Sequence, residues 1–164
     1  MPELTMETEL AAPPERVWTV LTDFAAYQDW NPYQTIDGKA EHLAVVSVLS
    51  RGLDGRAFPK ARAAIWKFEP NAKLEFLSGT PLWFSSTRFF HLSPTGTGTL
   101  LRHGARFSGI WTTWQFSHGH RIERLKPIYE AFQRALVRRL SGARPSEPVQ
   151  QNRRSRRASK SKGR

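Results

Sequence analysis

Apolar and polar side chains alternate over the first residues of the chain. At residues 3–10, Leu4, Met6 and Leu10 lie an even number of positions apart, with charged residues between them. A two-residue period puts these apolar side chains on one face of an extended segment, which is typical of a half-buried strand. The pattern therefore predicts a β-strand that can lie at the edge of a sheet.

Two short helices are predicted after this strand. Pro13 and Pro14 fit the first turn of a helix over residues 14–21, because the first helical turn needs no intrahelical N–H donor. Asp23 can cap a second short helix, in which aromatic residues recur every three positions, and Pro32 ends it.

A long stretch with strand character and turn residues follows these helices. Six strands are predicted between the turns, at residues 33–37, 41–53, 56–68, 73–78, 83–93 and 99–109. Because short turns join consecutive strands, we expect an antiparallel meander.

The apolar positions then recur every three or four residues. This spacing over residues 122–140 predicts a long amphipathic C-terminal helix, which Gly142 ends. A start as early as Thr112 is also open, in which case Gly119 and Pro127 would bend the helix. The whole order predicts an α+β fold, with a curved antiparallel sheet wrapped around the long helix and an apolar cavity between the two layers.

The composition fits one domain with a wide core. The 164 residues include six Trp and ten Phe, and large rings suit the walls of an internal space. The absence of Cys excludes disulfides, thiolate nucleophiles and Cys-ligated metal sites. No apolar run reaches the roughly 20 residues that span a bilayer, and the acidic start is unlike a signal peptide, so a cytoplasmic protein is expected.

The net charge of +11 is concentrated at the end of the sequence. Residues 143–164 contain eight basic residues and one acidic residue, so they carry +7 and leave +4 for residues 1–142. The end segment also lacks apolar periodicity, which predicts a basic disordered tail after a domain at 1–142. Residues 153–164 are expected to make weak contacts with nucleic acid or an anionic membrane surface, and a purely solubilising tail is the open alternative.

Several short motifs resemble those of one superfamily. They are APPERVW at 12–18, LTDF at 21–24, WNPY at 30–33, EPN at 69–71 and HGARFSG at 103–109. Over about residues 3–142 the chain resembles the SRPBCC superfamily, which includes START lipid-transfer domains, birch-pollen-allergen-like proteins and polyketide cyclase/dehydrase-like proteins. The resemblance implies the helix-grip fold and a hydrophobic ligand held between sheet and helix.

The candidate cavity residues are large side chains on the predicted inner faces, together with one Arg and one His. They are Trp66, Phe68, Phe76, Phe84, Arg88, Phe90, His103, Phe107, Trp114, Tyr129 and Phe132. Arg88 has two open roles. In one, its guanidinium binds a carboxylate or phosphate of the ligand. In the other, which is favoured, its aliphatic part packs on apolar surface and the guanidinium reaches solvent. For His103, a structural role with a hydrogen-bonded ring is favoured over a role as general acid or base.

The sequence offers little that points to catalysis or to a cofactor. His118 and His120 are two positions apart, so on a helix they point to different sides, and no metal site is expected. No pair of acidic residues suits general acid–base chemistry, and a nucleophile elbow, a P-loop and a dinucleotide fingerprint are all missing. No cofactor is expected and no catalytic residue is assigned.

Three functions stay open from the sequence. The first is binding, with possible transport, of a small hydrophobic or lipid-like molecule in the cavity. The second is a polyketide cyclase/dehydrase-like enzyme, in which the cavity orients a reactive chain. The third is a nucleic-acid-associated protein that acts through the basic tail.

Overall fold

A seven-stranded antiparallel sheet forms one layer of the protein. In this computed structural model, residues 2–80, 82–112, 120–123 and 125–142 are described. The strands are β1 (Glu3–Leu10), β2 (Gln34–Asp37), β3 (Val45–Ser50), β4 (Ala61–Glu69), β5 (Lys73–Thr80), β6 (Phe84–Pro94) and β7 (Thr99–Ser108). Their order across the sheet is β1-β7-β6-β5-β4-β3-β2, so the first strand lies beside the last one and β1 and β2 form the edges.

Helices cover the inner face of this sheet. They are α1 (Pro14–Thr22), a 3-10 turn (Phe24–Ala26), α2 (Tyr27–Trp30), α3 (His120–Glu123) and the C-terminal helix (Lys126–Leu140). The sequence-based prediction of a curved antiparallel sheet around a C-terminal helix is confirmed. No helix in the described ranges is long and apolar enough to cross a membrane.

The two short helices begin where the sequence predicts. Pro13 takes the N-cap position of α1 in an extended conformation, with Pro14 in the first turn. The Asp23 carboxylate accepts a hydrogen bond from the Ala26 backbone N–H at 3.3 Å, which caps the 3-10 turn. The local signals of proline and aspartate are therefore sufficient to set these helix starts.

Aromatic side chains join the short helices to the C-terminal helix. Trp30 packs on Phe132 with ring centroids 5.6 Å apart, and Phe90 of β6 packs on the same ring at 5.5 Å. The Arg16 guanidinium donates to the Leu140 carbonyl at 2.8 Å, which fixes α1 against the end of the helix. These contacts hold the helix across the sheet at one end of the core.

The C-terminal helix starts later than the sequence predicts. Residues 120–123 form the short helix α3, and the long helix begins at Lys126 with Pro127 in its first turn. The proline fits there because it has no N–H to donate and a fixed φ that suits a helix start. The prediction of one unbroken helix from residue 122 is therefore wrong: Ile122 lies in α3, and the long helix begins at Lys126. The alternative start at Thr112 runs through residues 113–119, which lie outside the described residues.

Three connections lie at the same end of the sheet. They are the β3–β4 connection (51–60), the β5–β6 turn (82–83 of it described) and the segment after β7 (109–112). The strand register requires this arrangement: Val48 near the end of β3 pairs with Ala61 at the start of β4, and Thr80 pairs with Phe84. The start of β6 in turn lies opposite the end of β7.

The boundary of the domain at residue 142 stays a prediction, because residues 143–164 lie outside the described part of the chain. We expect a chain ending at Gly142 to melt within a few degrees of the full chain, since the removed segment has no apolar periodicity with which to pack. Thermal unfolding of the two chains measures this. A larger drop in Tm would show that the tail packs on the domain.

Candidate functional site

A cavity of about 310 Å³ lies between the sheet and the C-terminal helix. Six of the side chains predicted for it from the sequence line its wall. These six are Arg88, Phe90, His103, Phe107, Tyr129 and Phe132. The wall also includes side chains from the region around α2 and β2, from the β3–β4 connection and from the start of the C-terminal helix. These are Asn31, Tyr33, Gln34, Val48, Ser50, Arg51, Phe58, Pro59, Ala61, Ser86, Leu125 and Ile128.

Strand alternation positions the residues from β6 and β7. Ser86, Arg88 and Phe90 are two residues apart, so all three point to the inner face. Arg88 lies opposite Ala105 on β7, whose methyl group leaves room for the long side chain beside it. On the C-terminal helix, the lining residues follow a spacing of three or four and therefore share one helical face.

His103 is buried among aromatic rings at the back of the cavity. Its imidazole stacks on Phe90, with centroids 6.2 Å apart, and on Tyr129, at 5.9 Å. Nε2 lies 3.5 Å from the Gln133 side-chain oxygen, to which it donates in the tautomer that carries the ring proton on Nε2. Nδ1 is then an acceptor, and it is buried without a partner among the described groups.

The pKa of His103 is lowered to about 4, mainly because the ring is buried; the contact with Gln133 opposes this change and the nearby Arg88 charge adds to it. The imidazole is therefore neutral near pH 7. A neutral ring can accept a proton or a hydrogen bond, but it cannot supply positive charge to a ligand.

Among the described residues, two cations line the cavity: Arg51 follows β3, and Arg88 lies on the inner sheet face. The guanidinium carbon of Arg88 lies 5.9 Å from the centroid of the Tyr129 ring, and within the described ranges no carboxylate lies close enough to form an ion pair with it. The Arg88 side chain is half-buried. An unpaired guanidinium that faces a cavity has donors to offer to an anionic group.

Amides and hydroxyls line the side of the cavity near α2 and β2. The Asn31 side-chain oxygen accepts from the Tyr33 backbone N–H at 3.1 Å, whereas its buried Nδ2 has no partner in the described part of the chain. Gln34 donates to the Ser50 hydroxyl at 3.3 Å. The cavity thus has a polar side with Arg88 and an apolar side formed mostly by Phe and aliphatic residues.

The comparison with known families adds to this geometry. The sequence profile described as polyketide cyclase/dehydrase and lipid transport matches residues 1–141. The chain belongs to this family. No curated protein matches the chain in sequence.

Several solved structures share the fold of this chain. A Staphylococcus aureus protein of unknown function is 10% identical with a TM-score of 0.67, over 86% of this chain and 94% of its own. A Chromobacterium violaceum protein is 14% identical with a TM-score of 0.65, over 84% and 96%. DynU16, from the dynemicin biosynthetic locus, is 19% identical with a TM-score of 0.66, over 87% of this chain and 48% of DynU16. At these identities the likeness shows the fold alone.

Trp66 and Phe68 do not line the cavity in this family member. The β4–β5 register shifts between Ile65 and Lys67, so Trp66 is an extra residue in the strand. The bulge interrupts the alternation that an unbroken strand would have, which leaves Trp66 exposed and lets Ile65 point into the core. Phe68 packs edge-on against Trp18, with centroids 5.1 Å apart.

The other predicted residues outside the wall have different positions. Phe76 is buried in ordinary core, where it contacts Phe24 and Phe90. Phe84 is half-buried behind Phe107, with ring centroids 6.3 Å apart, and is not among the lining residues. Trp114, like His118, lies outside the described residues.

Sequence reasoning missed the wall that the β3–β4 connection contributes. Phe58 and Pro59 line the cavity from a segment that was assigned to a strand. Asn31, which is not among the candidate cavity residues from the sequence, lines the cavity as well. The position of Asn31 in the WNPY motif, directly before β2, was the sequence signal that could have identified it as a cavity residue.

The described residues hold no group of three His, Asp or Glu side chains that could bind a metal ion. The described lining also has no Asp or Glu. A pair of carboxylates for general acid–base chemistry is therefore not part of this wall.

Proposed function

We propose that this protein binds a small amphipathic molecule, with its apolar body between sheet and helix and its acidic group at Arg88. The observation that carries the proposal is a cavity whose mostly apolar wall contains the half-buried guanidinium of Arg88, for which the described ranges offer no carboxylate partner. The family description names lipid transport. If the protein also releases the bound molecule elsewhere, it acts as a carrier.

The apolar side of the wall supports binding of a hydrocarbon or ring system. Phe90, Phe107 and Phe132 offer ring surface from three elements, and Val48 and Ile128 add aliphatic surface. Displacing water from such a wall is favourable because apolar area leaves water. A volume of about 310 Å³ lies at the lower end of the range usual for organic ligands.

The polar side supports recognition of one oxygen-rich group. Arg88 can donate two parallel hydrogen bonds to a carboxylate or phosphate. Asn31 Nδ2 is a further donor that is buried without a partner in the described part of the chain. Both groups can donate hydrogen bonds to the acidic group of the ligand. His103 is neutral and therefore does not attract that group away from Arg88.

Filling the cavity is expected to weaken binding of an apolar fluorescent probe such as 1-anilinonaphthalene-8-sulfonate. In Ile128→Trp, a larger ring enters the space from the first turn of the C-terminal helix, and we expect the probe's Kd to rise about tenfold or more. Val137→Trp is the matched control, because Val137 is exposed on the same helix. Fluorescence titration measures both variants.

Unchanged probe affinity in Ile128→Trp, or an equal loss in Val137→Trp, would contradict binding in this cavity. Native mass spectrometry of freshly purified protein adds an independent measurement. A lipid-like molecule that travels with the parent and is missing from Ile128→Trp would support the proposal.

A cyclase-like enzyme is the second candidate, and the mixed wall favours it. Ser50, Ser86, Arg88 and His103 add polar groups to an otherwise apolar cavity, and catalysis by positioning needs no carboxylate pair. A reactive poly-β-ketothioester should then give one cyclised product with the protein, where buffer alone gives a mixture. The same product mixture with and without protein would leave binding as the function.

The basic tail and the cytoplasmic location remain predictions from the sequence. Residues 153–164 lie outside the described residues. Retention of the protein on DNA that falls with salt and vanishes on deleting residues 143–164 would support nucleic-acid contacts.

A further inference from the structure

Large exposed apolar side chains collect at one end of the sheet. We call this set the apolar rim, and it consists of Leu53, Phe58, Leu82, Trp83, Ile110 and Trp111, each about half or more exposed. The six come from the three connections that the strand register places at the same end. Single exposed apolar residues are ordinary, but a group of this size marks a contact surface.

The backbone holds two parts of the rim side by side. The Ile110 N–H donates to the Leu82 carbonyl at 2.9 Å, and the Trp111 N–H donates to the Trp83 carbonyl at 3.1 Å. Gly109 permits this approach, because its φ is +112° and a Cβ there would lie 2.4 Å from the Trp83 carbonyl oxygen. The two tryptophans are therefore presented by a fixed pair of segments.

Basic residues outnumber acidic ones in the segments that carry the rim. Between Glu75 and Glu123 the sequence has no Asp or Glu at all, and this span includes β6, β7 and four of the six rim residues. The stretch 51–62 at the same end contains four basic residues and one acidic residue. Arg56 and Lys60 in this stretch are exposed.

We propose that the apolar rim docks on an anionic lipid bilayer. Tryptophan suits the boundary between headgroups and acyl chains, where one side of the ring is apolar and the other is wet. Basic residues beside it are attracted to acidic headgroups, and the acid-free span adds no repulsion. Phe58 belongs to both the rim and the cavity wall, so docking would turn the cavity toward the membrane. Docking needs no ligand and stands apart from the proposed function.

Flotation with lipid vesicles tests this proposal on the full chain. We expect the parent to bind vesicles of phosphatidylcholine and phosphatidylglycerol, and Trp83→Ser to lower the partition coefficient about tenfold because half-exposed ring surface is lost from the contact. Trp66→Ser is the matched control. Trp66 is 53% exposed and Trp83 60%, but Trp66 lies five residues into β4, away from the rim. Residues 143–164 are the same in the parent and in both variants, so their contribution to vesicle binding does not affect the comparison.

The basic residues give a second readout. Arg56→Gln and Lys60→Gln should each lower the partition about fivefold on vesicles with phosphatidylglycerol and have little effect on pure phosphatidylcholine. A Tm within a few degrees of the parent shows that each variant is folded. In solution, Trp83→Ser should bind 1-anilinonaphthalene-8-sulfonate as the parent does, so failure of docking and failure of ligand binding are told apart.

Three results would overturn the proposal. The first is no binding of the parent to vesicles with phosphatidylglycerol. The second is an equal loss in Trp83→Ser and Trp66→Ser. The third is a parent dimer in sedimentation velocity that Trp83→Ser converts to a monomer, which would make the rim a contact between two copies of the chain.

Discussion

Replacing Arg88 by methionine is expected to remove a preference for acids over esters. Dodecanoic acid and its methyl ester have the same apolar chain, and only the acid offers a carboxylate to the guanidinium. Hydrogen bonds to a charged group contribute about 1.5–3 kcal/mol, so the ratio of the two affinities should fall about 10- to 100-fold in Arg88→Met. The fold should persist, because Arg88 has no ion-pair partner in the described ranges and methionine fills part of the same space.

Arg102→Met is the control for this measurement. Arg102 lies on β7 beside the buried His103 but is half exposed on the opposite side, 3.7 Å from Glu3. Its loss should leave the ratio unchanged. If Arg88→Met weakens the acid and the ester equally, the side chain contributes packing alone. If neither affinity changes, the guanidinium is hydrated and does not contact the ligand, and the acidic group binds elsewhere.

Acid is expected to destabilise the protein through His103. The pKa of His103 is about 4 in the fold and 6.5 in a model peptide, so below pH 6.5 the unfolded chain takes up a proton that the folded protein does not. The free energy of unfolding therefore falls as the pH drops from 6.5 to 4. The loss from this group is about 2 kcal/mol by pH 5 and about 3 kcal/mol once the pH is below 4.

Urea unfolding at pH 7 and pH 5 measures the effect. His103→Gln should remove most of the difference between the two pH values, because glutamine takes up no proton in either state. His42→Gln is the control, since His42 is exposed in the connection before β3. A loss between pH 7 and pH 5 that is as large in His103→Gln as in the parent would show that other groups cause it.

The order of elements could be predicted because local signals were strong. Pro13, Pro14 and Asp23 were enough to place the two short helices. The two-residue period of β1 and the turn residues between the later strands placed the strands to within a few residues.

The start of the C-terminal helix was missed because the apolar spacing includes Ile122 and Leu125, although α3 ends at Glu123 and the long helix begins at Lys126. Spacing alone does not distinguish one unbroken helix from a short helix followed by a second one.

The site was predictable where the strands are regular. β6 and β7 pair without interruption, so alternation placed Arg88, Phe90, His103 and Phe107 on the inner face. β4 contains a bulge, and no residue type in its sequence signals one, so Trp66 was placed on the wrong side. The contribution of Phe58 depends on how the β3–β4 connection folds back over the cavity, which is a tertiary feature that periodicity does not encode.

The position of β1 beside β7 has a consequence for how the chain folds during synthesis. Residues 3–10 are made about a hundred residues before their partners at 99–108. At ribosomal rates of about 5–20 residues per second, this strand waits roughly 5–20 s before it can pair. Glu3, Glu7 and Glu9 place negative charge along it during this time, and charged side chains discourage pairing with strands of other nascent chains. Among the strands of this sheet, β7 is therefore made last and completes the sheet by pairing with β1.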